Sequence, residues 1–162
     1  TKCAGEELCK MYYKLFGLET VMLRYFNVYG DRQPLKGEYA TVIGLFLRQF
    51  KNGEPMTVIG DGTQRRDFTN ITDVVEANIK ATTANNVDAF GEVFNIGCGV
   101  NYSILDLVKM IGGDFKYIPE RIGETKITLA DISKAERILG WKPRLSLESW
   151  LKHTLSLDLR VL

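Results

Sequence analysis

The amino-acid sequence predicts an α/β fold. Segments in which apolar residues recur every three or four positions alternate with short runs rich in β-branched and aromatic residues. Glycine, proline or asparagine stands at many of the boundaries between these segments. A length of 162 residues, with 45% hydrophobic and 25% charged residues, suits one globular domain with a substantial core. Helices and strands that alternate along a chain are typical of the α/β class.

Six helices are predicted from the helical spacing of their apolar residues. Gly17 and Gly140 stand where the first and the fifth should end, and Thr72 and Ser103 stand where the third and fourth should be capped. Asp73 and Glu76 would then lie in the first turn of the third helix, where negative charge suits the positive end of the helix dipole. The predicted helices span residues 2–16, 43–52, 72–84, 103–111, 132–139 and 147–155.

Five extended segments are predicted between these helices, because they are short and rich in residues that favour strands. A loop is expected over residues 31–39, which contain Pro34 and Gly37. Tight turns are expected at the two Gly-x-Gly sequences, residues 60–62 and 97–99. The predicted extended segments span residues 20–26, 56–59, 67–71, 92–96 and 115–118.

Charge and composition argue against several classes of partner. The net charge is +1 and the basic residues are interspersed with acidic ones, so a nucleic-acid partner is not expected. No apolar run approaches the ~20 residues that span a bilayer, and the charged first residues do not resemble a signal peptide. Cys3, Cys9 and Cys98 lack C-x-x-C spacing and the chain has one histidine, so no metal site is expected. Reduced thiols in the cytoplasm are the simplest interpretation.

Five motifs stand in order along the chain and together resemble the extended short-chain dehydrogenase/reductase family, in particular its nucleotide-sugar epimerases and dehydratases. They are Lys2 with Ala4-Gly5-Glu6, the run from Arg24 to Gly30, Gln64-Arg65-Arg66-Asp67-Phe68, Arg121-Ile122-Gly123-Glu124, and Leu129 to Ala135 followed by Gly140-Trp141-Lys142-Pro143. The resemblance covers residues 1 to about 150. Gly44 departs from it, because relatives often start this helix with proline.

The resemblance implies the C-terminal part of such an enzyme. Residues 1–30 would be the last helix and strand of an NAD-binding Rossmann domain, and residues 31–162 would be the small domain that binds the nucleotide-sugar. The chain is therefore expected to begin inside an active site and to lack the first half of the enzyme. The sequence contains no glycine-rich strand–turn–helix loop, so this chain alone is not expected to hold NAD in the usual way.

Lys2 is the candidate catalytic residue. In isolation it is one of 21 basic residues and would be an ordinary exposed side chain. The resemblance makes it the lysine of a Tyr-x-x-x-Lys pair, whose tyrosine would be the third residue before Thr1. An ammonium beside a phenol favours the phenolate, which can act as a general base. In relatives this lysine also binds the nicotinamide ribose, and Tyr25 and Val28 are the other residues expected near NAD.

Polar residues that would hold the diphosphate-sugar are also implied by the resemblance. Arg66, as the buried one of two adjacent arginines, and Arg121 would converge on the diphosphate, since paired guanidinium groups suit bidentate anion binding. Glu124 would accept hydrogen bonds from the ribose hydroxyls. Asn27 would contact the diphosphate-sugar portion, and Gln33 would add a polar contact from the following loop.

The remaining candidates would surround the nucleoside and the sugar. The backbone of Thr41 and Val42 would contact the base, and Thr57 and Ile59 would pack against the nucleoside. Taken alone, both segments would be explained by ordinary packing. Thr128 occupies the position that, in the epimerases, controls the room around the C2 substituent of the sugar. A threonine there favours a pocket that admits an N-acetyl group.

The function predicted from this resemblance is the C-terminal portion of an NAD-dependent UDP-sugar 4-epimerase, inactive by itself. A nucleotide-sugar 4,6-dehydratase and a non-catalytic nucleotide-sugar-binding module are the alternatives. A homodimer is expected, because relatives often dimerise through the first helix, where Met11, Tyr12, Tyr13 and Phe16 offer apolar surface.

Overall fold

Helices and strands alternate along residues 1–37 and 39–158, which the computed structural model describes. The α/β class predicted from the sequence is confirmed. A 3₁₀ turn at Val87–Ala89 and a π-helical turn at Ala135–Leu139 complete the regular structure of these residues. The helices are α1 Lys2–Phe16, α2 Val42–Lys51, α3 Ile71–Thr82, α4 Ile104–Ile111 and α5 Leu147–Asp158. The strands are β1 Val21–Tyr25, β2 Val28–Tyr29, β3 Met56–Ile59, β4 Arg65–Asp67, β5 Thr69–Asn70, β6 Glu92–Ile96, β7 Asn101–Ser103 and β8 Phe115–Ile118.

The strands pair in four short ladders within the described residues. β1–β6, β2–β5 and β3–β8 are parallel, and β4–β7 is antiparallel. β1 and β6 run in register over five residues, ending with Tyr25 opposite Ile96. Their carboxyl ends therefore bring Asn27 and the Gly97–Gly99 turn to one edge of the structure. This is the edge at which open parallel sheets bind ligands.

Residues at the helix ends account for most of the element boundaries. α1 stops at Gly17, whose φ of +68° is left-handed and whose N–H donates to the carbonyl of Tyr13. Ser103 and Asp106 form a reciprocal capping box at the start of α4, as the sequence predicts for Ser103. The predicted cap at Thr72 is wrong. Asn70 has the extended backbone of an N-cap, and its Oδ1 accepts the Thr72 N–H at 2.9 Å.

The buried apolar side chains of the described residues form two clusters. The larger one joins α2, β3, α4 and α5, and has Phe46, Met56 and Leu107 at its centre. The second lies between the β1–β6 pair, α3 and the π-helical turn, around Phe94 and Trp141. A boundary after residue 30 would place β1 and its hydrogen-bonded partner β6 in different domains. The predicted division into 1–30 and 31–162, whose second part includes residues outside the described ranges, stays a prediction.

Asp73 links the second cluster to the segment after the π-helical turn. It is buried, and its carboxylate accepts the backbone N–H groups of Arg144 and Leu145, both at 3.1 Å. The indole N–H of Trp141 donates to the Asp73 carbonyl at 2.9 Å. Asp73 lies in the first turn of α3, as the sequence predicts, and its carboxylate also anchors the C-terminal segment.

We expect Asp73→Ala to lower the free energy of unfolding by about 2–4 kcal/mol, because two partly buried N–H groups lose the buried carboxylate that accepts from them. Urea denaturation monitored by circular dichroism measures this loss. Asp88→Ala is the matched control, since Asp88 is exposed on the 3₁₀ turn and should change stability by less than about 0.5 kcal/mol. Equal stability of the two variants would contradict the anchoring role.

Candidate functional site

A cavity of about 610 Å³ opens between α2, β3, β4 and the loop that follows β8. Segments far apart in sequence form its walls, so the site exists only in the folded chain. Its volume is within the range of pockets that hold small molecules and cofactors. The lining residues fall in the ranges 27–29, 36–37, 40–48, 57–59, 64–68 and 121–124, with Ile104 in addition.

Positive charge dominates the lining of this cavity. Lys36, Arg48, Arg66 and Arg121 face one acidic residue, Glu124. Apolar side chains and backbone make up most of the remaining wall. A concave surface that carries an excess of cations attracts an anionic ligand.

The two adjacent arginines of β4 point in different directions. The Arg66 side chain is 11% exposed and lines the cavity, whereas that of Arg65 is 40% exposed. Arg65 donates to Asn101 Oδ1 and to the Asn101 carbonyl, both at 2.7 Å. Arg66 Nη1 donates to the Arg65 carbonyl at 3.0 Å, and its Nη2 pairs with Glu124 Oε1 at 3.1 Å. The structure thus agrees with the expectation that Arg66 is the buried arginine.

Arg121 approaches the same cavity from the loop after β8. The Glu124 N–H donates to the Arg121 carbonyl at 3.4 Å, which closes a turn that brings both side chains to one rim. Within residues 1–37 and 39–158, no carboxylate pairs with Arg121. The guanidinium of Arg66 is therefore held by a protein carboxylate, whereas that of Arg121 is free to bind an external anion.

Asp67 fixes the segments behind Arg66. Its fully buried carboxylate accepts the backbone N–H groups of Cys98 at 2.6 Å and of Gly99 and Ala130 at 3.0 Å. Only glycine fits at position 97 beside Ala130, because an added Cβ would lie 2.2 Å from the Cβ of Ala130. Burial, with a smaller contribution from the Asp67 charge, raises the pKa of the Cys98 thiol, which keeps it protonated.

A chain of hydrogen bonds leads from β4 to Asn27. The Asp67 N–H donates to Thr128 Oγ1 at 3.2 Å, and Thr128 Oγ1 donates to Asn27 Oδ1 at 3.3 Å. Asn27 lines the cavity and Thr128 stands behind it. Thr128 is therefore linked to the cavity by its hydrogen bond to Asn27.

The start of α2 presents backbone to the cavity. Thr41 Oγ1 accepts the Gly44 N–H at 3.0 Å and donates to Gln33 Oε1 at 2.6 Å, so the hydroxyl is fully used within the protein. Thr41 and Val42 line the cavity, while Gln33 braces Thr41 from behind. Residue 44 is glycine, where relatives often have proline, for a packing reason. An added Cβ would lie 2.7 Å from the Pro34 carbonyl oxygen.

Strand β3 supplies a wall through its alternating side chains. Met56 and Val58 are buried in the larger core cluster, whereas Thr57 and Ile59 line the cavity. Gln49 accepts the Thr57 N–H and donates to its hydroxyl, both at 3.1 Å. Because its polar groups are satisfied in this way, Thr57 offers the cavity mainly its methyl group.

The three predicted cofactor residues do not converge on one another. Val28 lines the cavity. The Tyr25 hydroxyl donates to Asn78 Oδ1 at 2.9 Å, on the side where α3 packs. Lys2 lies exposed in the first turn of α1. A role at NAD for these residues stays a prediction.

Sequence reasoning missed two cations of the cavity, Lys36 and Arg48. Arg48 Nη1 donates to the Leu35 carbonyl at 3.2 Å, while its buried Nε lacks a partner among the described atoms. Arg48 follows Thr41 and Leu45 at helical spacing, so it lies on the face of α2 that lines the cavity. That spacing could have identified Arg48. Lys36 lies in a loop and carries no comparable signal.

Comparison with known proteins gives the identity of the family. The family model described as NAD dependent epimerase/dehydratase matches residues 1–97. The chain belongs to this family. A UDP-glucuronate 4-epimerase of Thermodesulfobacterium geofontis is 36% identical over 96% of this chain and 48% of its own.

Solved structures of the epimerase/dehydratase family match the whole described fold. A UDP-glucose 4-epimerase of Thermotoga maritima with UDP-glucose has a TM-score of 0.88 at 34% identity, and covers 99% of this chain and 52% of its own. A UDP-N-acetylglucosamine 4-epimerase of Methanobrevibacter ruminantium, in complex with UDP-N-acetylmuramic acid, has a TM-score of 0.88 at 33% identity. It covers 99% of this chain and 53% of its own. The chain spans about half the length of the curated relatives it matches.

The carboxyl edge of β1 and β6 is where the NAD named in the family description would be expected to meet this chain. Val28 and Asn27 follow the carboxyl end of β1, and the Gly97–Gly99 turn follows that of β6, where parallel sheets bind nucleotides. The sequence supplies no glycine-rich loop for the pyrophosphate of NAD. This chain can therefore provide one wall of a dinucleotide site.

The part of the chain that the structure describes contains neither a bilayer-spanning helix nor a cluster of metal ligands. In residues 1–37 and 39–158, none of the helices is long and apolar enough to cross a bilayer. The same residues contain no group of three or more His, Cys, Asp or Glu side chains that could bind a metal ion together.

Proposed function

We propose that this chain is the C-terminal, substrate-binding portion of an NAD-dependent UDP-sugar 4-epimerase. The observation that carries the proposal is the presence of Arg66 and Arg121 on one cavity, whose uncharged wall is largely apolar. A nucleotide-sugar needs this combination, since its diphosphate is anionic and its base is flat and weakly polar. The names of the similar proteins support a UDP-sugar as the ligand.

In the proposed complex, the diphosphate lies between Arg66 and Arg121. The nucleoside extends toward the start of α2 and toward Ile59, where backbone groups and apolar side chains line the cavity. Glu124 has a second carboxylate oxygen beyond the one that pairs with Arg66, and this oxygen is the proposed acceptor for the ribose hydroxyls. The sugar extends toward Asn27, at the carboxyl edge of β1.

The chemistry that NAD supplies when bound is the reversible acceptance of a hydride from C4 of the sugar. The part of this chain in that step is to hold the nucleotide firmly and to leave the sugar free to turn. Lys2 is proposed to stand beside a tyrosine general base and to favour its phenolate form. A reducing cytoplasm, suggested by the absence of C-x-x-C spacing among the three cysteines, remains part of the proposal.

We expect Arg66→Ala to weaken UDP binding to the intact protein by about 1.5–3 kcal/mol, because a charged hydrogen bond to the diphosphate is lost. Isothermal titration calorimetry measures the change. Arg65→Ala is the matched control, since Arg65 is the neighbouring arginine and turns to Asn101. An affinity for UDP that is the same in wild type and Arg66→Ala would refute the phosphate role.

Thr128 is proposed to limit the size of the sugar substituent near Asn27. We expect Thr128→Tyr to reduce turnover of UDP-N-acetylglucosamine by the intact protein more than turnover of UDP-glucose, because the ring fills space beside the C2 substituent. Steady-state kinetics with both substrates measures the ratio. Thr128→Ser, which adds no bulk, should leave that ratio unchanged, and an equal loss on both sugars in Thr128→Tyr would remove the gating role.

We also propose that the protein forms a homodimer through α1. None of the α1 side chains is buried, and Leu8, Met11, Tyr12 and Leu15 form a stripe at helical spacing that is 41–67% exposed. Tyr13, which the sequence had suggested for this surface, instead packs against Phe90 with ring centroids 6.2 Å apart. An apolar stripe of this kind is typical of an interaction surface.

We expect Leu15→Glu to convert the dimer of the intact protein into a monomer, since a carboxylate would be buried at the interface. Sedimentation velocity distinguishes the two states. Val87→Glu is the control, because Val87 is 70% exposed on the 3₁₀ turn, away from α1. A wild-type protein that sediments as a monomer, or a Leu15→Glu protein that remains dimeric, would contradict the proposal.

A further inference from the structure

The side chain of Asn27 is an exposed polar group that lines the cavity near the proposed sugar. Asn27 lies between β1 and β2, and its backbone is fixed because its carbonyl accepts the Thr69 N–H at 3.2 Å. An amide side chain can present either its oxygen or its NH₂ group to a ligand. The amide group that is turned toward the cavity determines whether Asn27 binds a hydrogen-bond donor or an acceptor of the ligand.

Thr128 is held in place independently of Asn27. Its backbone N–H donates to the Arg65 carbonyl at 3.0 Å, and its carbonyl accepts from Asn101 Nδ2 at 3.2 Å. The preceding residue, Ile127, forms a parallel bridge with Arg65. The hydroxyl of Thr128 therefore has a fixed position beside Asn27.

The hydrogen bonds of that hydroxyl select one amide orientation. Oγ1 already accepts the Asp67 N–H at 3.2 Å, so its own proton needs an acceptor. Asn27 Oδ1 lies 3.3 Å away and is that acceptor. In the opposite amide orientation Nδ2 would lie beside Oγ1, and the hydroxyl proton would lose Asn27 as its acceptor.

We propose that Thr128 is a positioning residue that turns the NH₂ group of Asn27 toward the cavity. Asn27 then presents donors only, as Arg66 and Arg121 do, and the ligand atom that faces it is an acceptor oxygen of the diphosphate or the sugar. This inference rests on the proposed function, because it concerns how the same cavity reads a nucleotide-sugar. It gives the Thr128 hydroxyl a role that is separate from the bulk of its side chain.

The test is a double-mutant cycle between Asn27 and Thr128, with UDP-glucose as the probe and the intact protein in the calorimeter. Thr128→Val keeps the shape and removes the hydroxyl, whereas Thr128→Ser keeps the hydroxyl. We expect Thr128→Val to weaken UDP-glucose binding about 3–12-fold, as loss of one oriented hydrogen bond predicts. Thr128→Ser should stay within about twofold of wild type. In an Asn27→Ala background, Thr128→Val should have no further effect.

The cycle separates positioning from folding. Thr128→Val also leaves the Asp67 N–H without its acceptor, and any effect of that loss on binding would persist in the Asn27→Ala background. Wild-type affinity in Thr128→Val, or an equal loss with and without Asn27, would overturn the inference. If Arg66→Ala lowers UDP affinity while Thr128→Val does not change binding, the proposed function stands and this inference fails. If neither variant changes binding, both fail.

Discussion

The buried carboxylate of Asp67 is the constraint on which the site depends. It accepts three backbone N–H groups, two from the turn after β6 and one from Ala130, so three separate segments meet at one charge. A carboxylate without such donors would be costly to bury, whereas charge-assisted hydrogen bonds to backbone N–H groups are among the stronger ones. Arg66 and Thr128 are positioned by this arrangement, since one precedes Asp67 in β4 and the other accepts its N–H.

The polar groups around the cavity differ in whether they already form hydrogen bonds or ion pairs within the protein. Thr41, Thr57 and Thr128 use their hydroxyls within the protein, and Arg66 is held by Glu124. Arg121, on the rim, has no such carboxylate partner among the described residues. This division suits a site that grips a diphosphate and a nucleoside with fixed groups. Fewer contacts then restrain the sugar, which in the proposed reaction has to turn over between the removal and the return of hydride.

Local sequence signals predicted the regular elements well, and tertiary contacts account for the differences. β3, β6 and β8 were located to the residue because each is a short β-branched or aromatic run bounded by turn residues. β2 and β7 were missed, since strands of two and three residues carry too little pattern. The cap at Asn70 was assigned to Thr72 because both residue types favour that position.

The candidate site was predictable where a motif carried it. Nine of the predicted residues line one cavity: Asn27, Val28, Thr41, Val42, Thr57, Ile59, Arg66, Arg121 and Glu124. Gln33 and Thr128 do not line the cavity but form hydrogen bonds with residues that do. Gln33 accepts from Thr41, and Thr128 donates to Asn27. The last of these joins residues 101 positions apart, and no local pattern encodes such a contact. The roles of all these residues in binding remain predictions.

A crystal structure of the intact protein with UDP tests the central claim most directly. We expect diphosphate oxygens to lie within about 3.2 Å of guanidinium nitrogens of both Arg66 and Arg121. A diphosphate that contacts only one of the two arginines, or that lies outside the cavity, would contradict it.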